Sequence, residues 1–333
     1  MPADAETLRV ATYSPDLTRK GPGLLYRDLR EGKDQQSADV IAVVAKADPD
    51  ILLLTGIDWD HENLALKELA KRLGKAGADY PHLYASRPNS GMATDLDLDQ
   101  DGRLGGGRDA QGFGLFSGQG GMAILSRHPI GEVTDYSATL WRDVPDHLMP
   151  PTPPEIAEVQ RLSSVAHWDA KIMIAGKPLH LLTYAATPPV FDGPEDRNGR
   201  RNHDETVFWL NHLPDGPFIV IGDANLDPVD GDGRTEAMAK LLARVQDPKP
   251  ASNGGRLAPQ TGTNAGQKGD PALDTAVWPD DGPGSMRVDY VLPSPDLRVR
   301  GSGVFWPKSG DPMADIAARA SRHRLVWVDL DFP

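Results

Sequence analysis

The sequence predicts an α+β fold, a four-layer α/β/β/α sandwich in which two mainly antiparallel sheets pack face to face with helices outside. Three observations predict it. Strand-like apolar runs clearly outnumber helical patterns, and the helical patterns fall between the early strands. Several apolar runs also stop abruptly at polar residues, as buried strands do when they carry functional side chains to the rim of a sheet. No internal repeat or linker divides the 333 residues, so residues 8–333 are read as one domain behind a leader of residues 1–7.

LRVATYS (8–14) reads as the first strand. Residues 36–47 follow as a helix, with Val40, Ile41, Val43 and Val44 forming its apolar stripe. Pro49-Asp50 breaks that helix and leads into ILLLTGI, a buried strand that ends near Gly56. Residues 62–74 carry Leu64, Leu66, Leu69 and Leu73 near helical spacing. GMAILSR (121–127) is a strand closed by Pro129, and PLHLLTY (178–184) is another. Asn202 followed by Glu205 fits a helix start running into VFWLNHL. FIVIGDAN (218–225) comes next, then a long Gly/Pro-rich loop over about 247–285, then RVDYVL, SGVFWP and RLVWVDL.

Composition narrows the function. The net charge of −13 argues against a protein that grips nucleic acid mainly through phosphates, because such binding needs clustered Lys and Arg. The absence of Cys excludes disulfides, thiolate metal sites and Cys nucleophiles. No run is long and apolar enough for a membrane-spanning helix. Ala3-Asp4-Ala5 before Glu6 looks like the small-x-small tail of a secretory cleavage site, so a periplasmic or secreted location is expected.

FIVIGDAN, MRVDYVL (286–292) and ASRHRLVWVDL (320–330) deliver Asp223, Asn225, Asp289 and His323 to strand ends. Together with LRVATYS, PDILLLTGI and GQGGMAILSRHPI, in that order along nearly the whole chain, they resemble the endonuclease/exonuclease/phosphatase superfamily of metal-dependent phosphoesterases. The resemblance implies catalytic roles. Asp223 would orient or activate water, Asn225 would donate to phosphoryl oxygens, and His323 would contact the phosphoryl group with its tautomer set by Asp289. This sequence also departs from the family pattern. Ser14 stands for the first-strand Asn, Gly56 for the metal-binding Glu, Ala185 for a His that ends the middle strand, and Arg322 for the Asp before the terminal His.

A hard divalent ion binds poorly without carboxylates, so Asp58 or Asp60, just past the second strand, is expected to refill the metal position with Mg²⁺ or Mn²⁺. Arg322 is the alternative source of positive charge. Alternating Asp95, Asp97, Asp99 and Asp101 before Gly102 suit a structural Ca²⁺ at Asp97, Asp99 and Asp101, although Arg108 occupies the twelfth position, where an EF-hand has Glu. The polar stretch 188–205 offers an anion-binding rim through Arg201 and His203, with Arg161 beside it. The other histidines lack metal-ligand spacing. Trp141, Trp168, Trp209, Trp278, Trp306 and Trp327 read as core or loop anchors. The expected activity is hydrolysis of a small or exported phosphate ester by metal-assisted attack of water on phosphorus, with nucleic acid not favoured as partner. The alternative is an impaired family member that binds a phosphorylated ligand or a protein.

Overall fold

The computed structural model describes residues 6–279 and 281–332. In chain order the first half contains β1 (Glu6–Tyr13), α1 (Leu24–Glu31), α2 (Gln35–Ala47), β2 (Ile51–Ile57), α3 (Leu64–Lys75), β3 (His82–Tyr84), β4 (Gly121–Ser126), β5 (Ile130–Asp135) and α4 (Pro154–Ala157). Next come β6 (His167–Ile174), β7 (Lys177–Ala185), α5 (Arg197–Val207), β8 (Phe218–Asp223), α6 (Thr235–Leu242) and α7 (Asn253–Arg256). The chain closes with β9 (Ala276–Val277), β10 (Ser285–Met286), β11 (Asp289–Pro293), β12 (Arg298–Val304), α8 (Ala314–Ala320) and β13 (Val326–Phe332).

A six-stranded sheet has the order β12-β13-β1-β2-β4-β3 and a five-stranded sheet the order β11-β8-β7-β6-β5. Only the β1–β2 and β7–β8 neighbours within them are parallel, so the sheets are mainly antiparallel. Side-chain alternation explains the layering. Leu8, Val10, Ile51 and Leu53 face inward against Ile172, Leu179, Leu181 and Ile219 of the other sheet. Their neighbours Ala11, Tyr13, Leu52 and Leu54 face outward and bury Val40, Val44, Leu66 and Leu69 of α2 and α3. On the far side, Leu182, Tyr184 and Val220 pack with Phe208, Trp209, Met238 and Leu241. ILLL is continuously apolar because both of its faces are covered.

Two sequence expectations shift. β1 begins at Glu6, which pairs with Phe332, so part of the expected leader belongs to the sheet; residues 1–5 lie outside the described residues. The helix expected from Asn202 begins at Arg197 instead. Asn202 is mid-helix and buried, its amide donating to the Thr187 and Ala224 carbonyls at 2.8 Å each. Glu205 likewise accepts from Ser164 and Thr187 rather than closing a cap, so long-range bonds claim both residues of the local signal.

Candidate active site

The site forms where β8 ends and β11 begins. These strands are antiparallel neighbours, and their register sets Asp289 directly opposite Asp223, with Ala185 of the parallel strand β7 on the other side. Gly222 makes the approach possible. A Cβ there would lie 1.8 Å from the Tyr184 carbonyl oxygen, at a φ of 149° that side chains rarely adopt. The chain then turns through Asn225, at φ 47°, whose N–H donates to Asp223 Oδ1 at 2.9 Å. Asn225 Nδ2 donates to the Ala186 carbonyl at 2.9 Å, which ties the turn to the end of β7 and leaves one amide proton for another acceptor.

His323 arrives from the segment before β13. Its Nδ1 lies 2.9 Å from Asp289 Oδ2, and the same oxygen accepts from Thr275 Oγ1 at 2.8 Å. Ser321 Oγ accepts from the His323 backbone N–H at 3.0 Å and donates to the Ser14 carbonyl at 2.6 Å, so the terminal segment is latched to the end of β1. One ligand atom each from Asp223, Asp289 and His323 lies within 4.8 Å of the others, and all three residues are buried. Asp289 Oδ1 is buried without a hydrogen-bond partner among the described residues. Trp278 meets the His323 ring edge-on at 5.6 Å between centroids.

Electrostatics follow from this crowding. Burial and the Asp289 charge raise the Asp223 pKa to about 7, against the opposing pull of His323. Burial alone would lower the His323 pKa. The charge and hydrogen bond of Asp289, with smaller contributions from Asp223 and Asp16, overcome it and raise the value to about 9. The imidazole is therefore a cation near neutral pH, held between carboxylates.

Ser14 and Gly56 sit side by side. Gly56 lies on a bulge of β2 at φ 64°, and a Cβ there would come within 3.3 Å of Ser14 Oγ. The carboxylates expected to refill this place are each engaged by backbone N–H groups. Asp58 accepts from the Arg19 and Gly120 backbone N–H groups at 2.8 and 3.0 Å, which closes two loops. Asp60 accepts from Leu64 and Ala65 N–H at 2.7 and 2.8 Å and caps α3. Neither joins a group of three ligand-bearing side chains among the described residues.

The expected anion rim also turns inward. Arg201 is 7% exposed and donates to the carbonyls of Gln111, Arg161, Leu162 and Ser163. His203 is buried, with Nδ1 on Asp204 Oδ1 at 2.8 Å. Arg161 is half-buried and donates to Asn89 Oδ1 at 2.8 Å. Of the expected substrate contacts, Arg322 alone stays exposed, its Nε 3.5 Å from Asp16 Oδ2. In the acidic loop it is Asp109, and not Asp101, that joins Asp97 and Asp99 within 4.8 Å. Asp97 and Asp109 each accept two backbone N–H groups, which accounts for the loop's closure, while Asp101 accepts from Arg103 N–H.

Sequence reasoning missed three neighbours: Thr275, Ser321 and Asp16. Asp16 accepts from Arg322 N–H at 3.3 Å, lies 3.3 Å from Ser321 Oγ, and adds its charge to that felt by Asp223 and His323. The signal that could have found Asp16 is its position two residues past the first strand-end residue, Ser14.

The fold and this cluster define a two-sheet sandwich protein with a carboxylate–imidazole site at one end of its sheets. The chain belongs to the Endonuclease/Exonuclease/phosphatase family, whose model matches residues 25–323. No curated protein sequence matches it. Among solved structures it is similar to an endonuclease/exonuclease/phosphatase from Beutenbergia cavernae DSM 12333, with TM-score 0.58, 17% identity, and coverage of 98% of this chain and 72% of that one. Sphingomyelinase C from Streptomyces griseocarneus aligns with TM-score 0.52 and 14% identity over 97% of this chain and 99% of its own. A mutant beta toxin from Staphylococcus aureus, with bound magnesium ions, aligns with TM-score 0.51 and 12% identity over 97% of this chain and 99% of its own. At these identities the likeness is one of fold.

Proposed function

We propose that the chain is a phosphoester hydrolase that directs water onto phosphorus with help from a divalent ion. The observation that carries the reading is Asp289 Oδ1, a buried carboxylate oxygen without a partner inside the Asp223–Asp289–His323 cluster. Such an oxygen is costly unless something positive reaches it. Asp223 and this oxygen are the groups that would hold Mg²⁺ or Mn²⁺, both of which take carboxylate oxygens. The ion would supply Lewis-acid stabilisation of the non-bridging phosphoryl oxygens.

The chain's own groups divide the remaining work. Asp223, held by Asn225 N–H on one oxygen, orients the attacking water with the other and accepts its proton. His323, charged and fixed at Nδ1 by Asp289, donates from Nε2 to the phosphoryl group. The spare amide proton of Asn225 donates to a phosphoryl oxygen. Family membership and the sphingomyelinase and beta-toxin likenesses support this reading. The acidic total charge favours a small ester over a long nucleic acid.

Hydrolysis of an aryl phosphodiester and an aryl phosphomonoester, measured with Mg²⁺, Mn²⁺, Ca²⁺ or chelator, tests it. Metal-dependent turnover that falls by about 10²–10⁴ in Asp223→Asn is expected. Turnover unaffected by that substitution contradicts the assignment. Absence of turnover under every condition, with phosphate-ester binding retained, would instead favour a binding protein, a reading supported by the missing side chains at Gly56 and Ala185.

A further inference from the structure

Beside the cluster, between the N-terminus of α2 and the C-terminus of α8, lies a cleft of about 360 Å³ lined by residues including Asp16, Arg19, Asp34, Gln36, Arg319 and Arg322. Its volume is within the range of roughly 300–1,000 Å³ typical of small-ligand sites. Cleft and cluster share a wall, because Ser321 lines the cleft while accepting the His323 backbone N–H at 3.0 Å. The wall is braced by Gln36, whose Nε2 donates to the Pro15 and Ala320 carbonyls at 2.7 and 2.6 Å.

The cations of the cleft are not equivalent. Arg19 is engaged by Asp28 at 2.9 Å and Asp34 at 3.0 Å, and also by Gln36 and Ser37. Arg319 places two nitrogens on Asp39, at 2.9 and 3.2 Å. Among the described residues the Arg322 guanidinium has only its 3.5 Å approach to Asp16, and its side chain is 61% exposed. That distance is longer than a charge-assisted hydrogen bond, so most of the guanidinium's donors remain available to a ligand. Asp16 in turn accepts the Arg322 backbone N–H at 3.3 Å, a contact that does not involve the guanidinium.

We propose that this cleft is an anion subsite of the phosphoester site. It takes a second anionic group carried by the substrate on the portion attached to the reacting phosphate. The proposal rests on the phosphoester reading and narrows it to esters with such a group. Arg322 reads the second anion with its planar fork. Asp16 is the internal competitor that holds Arg322 in the free protein and is exchanged for the ligand's anion.

Calorimetric titration of the full chain with Mg²⁺ at low ionic strength tests this, using alkylphosphonates of two to six carbons against ω-carboxyalkylphosphonates of the same lengths. The P–C bond prevents turnover. At one or more lengths the carboxylate should tighten binding by about tenfold. Arg322→Gln should remove that gain, so that within this variant the two series bind alike, whereas Asp16→Asn should enlarge it. Equal binding of the two series at every length, or a gain that survives Arg322→Gln, would overturn the subsite and leave the phosphoester reading standing. A gain unchanged in Asp16→Asn would overturn the exchange. Binding of neither series would contradict the phosphoester reading and the subsite together.

Discussion

Asp274 shows how a single carboxylate near the site stores a pH dependence. Burial, together with the charges of Asp227, Asp230 and Asp270, raises its pKa to about 7. Because the folded value lies above the unfolded one, the stability tied to its neutral form is complete below the ordinary carboxylate range. That stability declines as pH rises through about 7. Asp274→Asn should therefore melt at higher temperature than the parent at pH 8, by the equivalent of about 1–2 kcal/mol, and match it near pH 4. Equal melting shifts at both pH values would remove Asp274 from this role. The four catalytic candidates Asp223, Asn225, Asp289 and His323 were legible in the sequence because each ends or precedes an apolar run. Arg201 and His203 misled because polarity along a chain does not say which way a helix faces; α5 turns both into the protein. Thr275 left no comparable trace, since a lone polar residue in a loop looks the same whether it touches the site or not.

Among the elements, β8 and β2 hold the site by their glycines. Gly222 admits the Tyr184 carbonyl, and Gly56 turns the end of β2 at φ 64° beside Ser14. Gly56→Glu, which places a carboxylate where the resemblance expects one, should therefore cost about 1–3 kcal/mol of stability, through strain at a left-handed position. It should add no metal-dependent activity, because the bulge directs the backbone for glycine. Denaturant unfolding and a metal titration of that variant would show it; a stable variant with stronger metal dependence would mean that the bulge relaxes. The strands were readable from their alternation and closing Pro or Gly residues, and α2 and α3 from their apolar stripes. The start of α5 was not, because Asn202 and Glu205 look like a helix cap while their side chains bond to distant loops. The carboxylates expected at a metal position behave similarly. Asp58 and Asp60 have the right chemistry and sequence position, but backbone N–H groups claim their oxygens.

At the scale of the molecule, both sheets direct their site-forming ends to one edge of the sandwich. The first and last strands, β1 and β13, pair with each other, which brings Ser14 and Ser321 together although 307 positions separate them. The order of motifs along the sequence made this sandwich readable in advance, since family-like strand ends recur in sequence from β1 to β13. The ionic cleft was invisible to it, because Asp16, Gln36 and Arg322 meet only when the terminal segment folds back onto the first strand and α2. The account's central claim is that the Asp223–Asp289–His323 cluster directs water onto phosphorus. Turnover of an aryl phosphodiester in ¹⁸O-labelled water tests it most directly. Label is expected in the phosphorus-containing product, with the labelling rate lost in Asp223→Asn; label in the released phenol, or undiminished labelling in the variant, would rule out attack on phosphorus by this cluster.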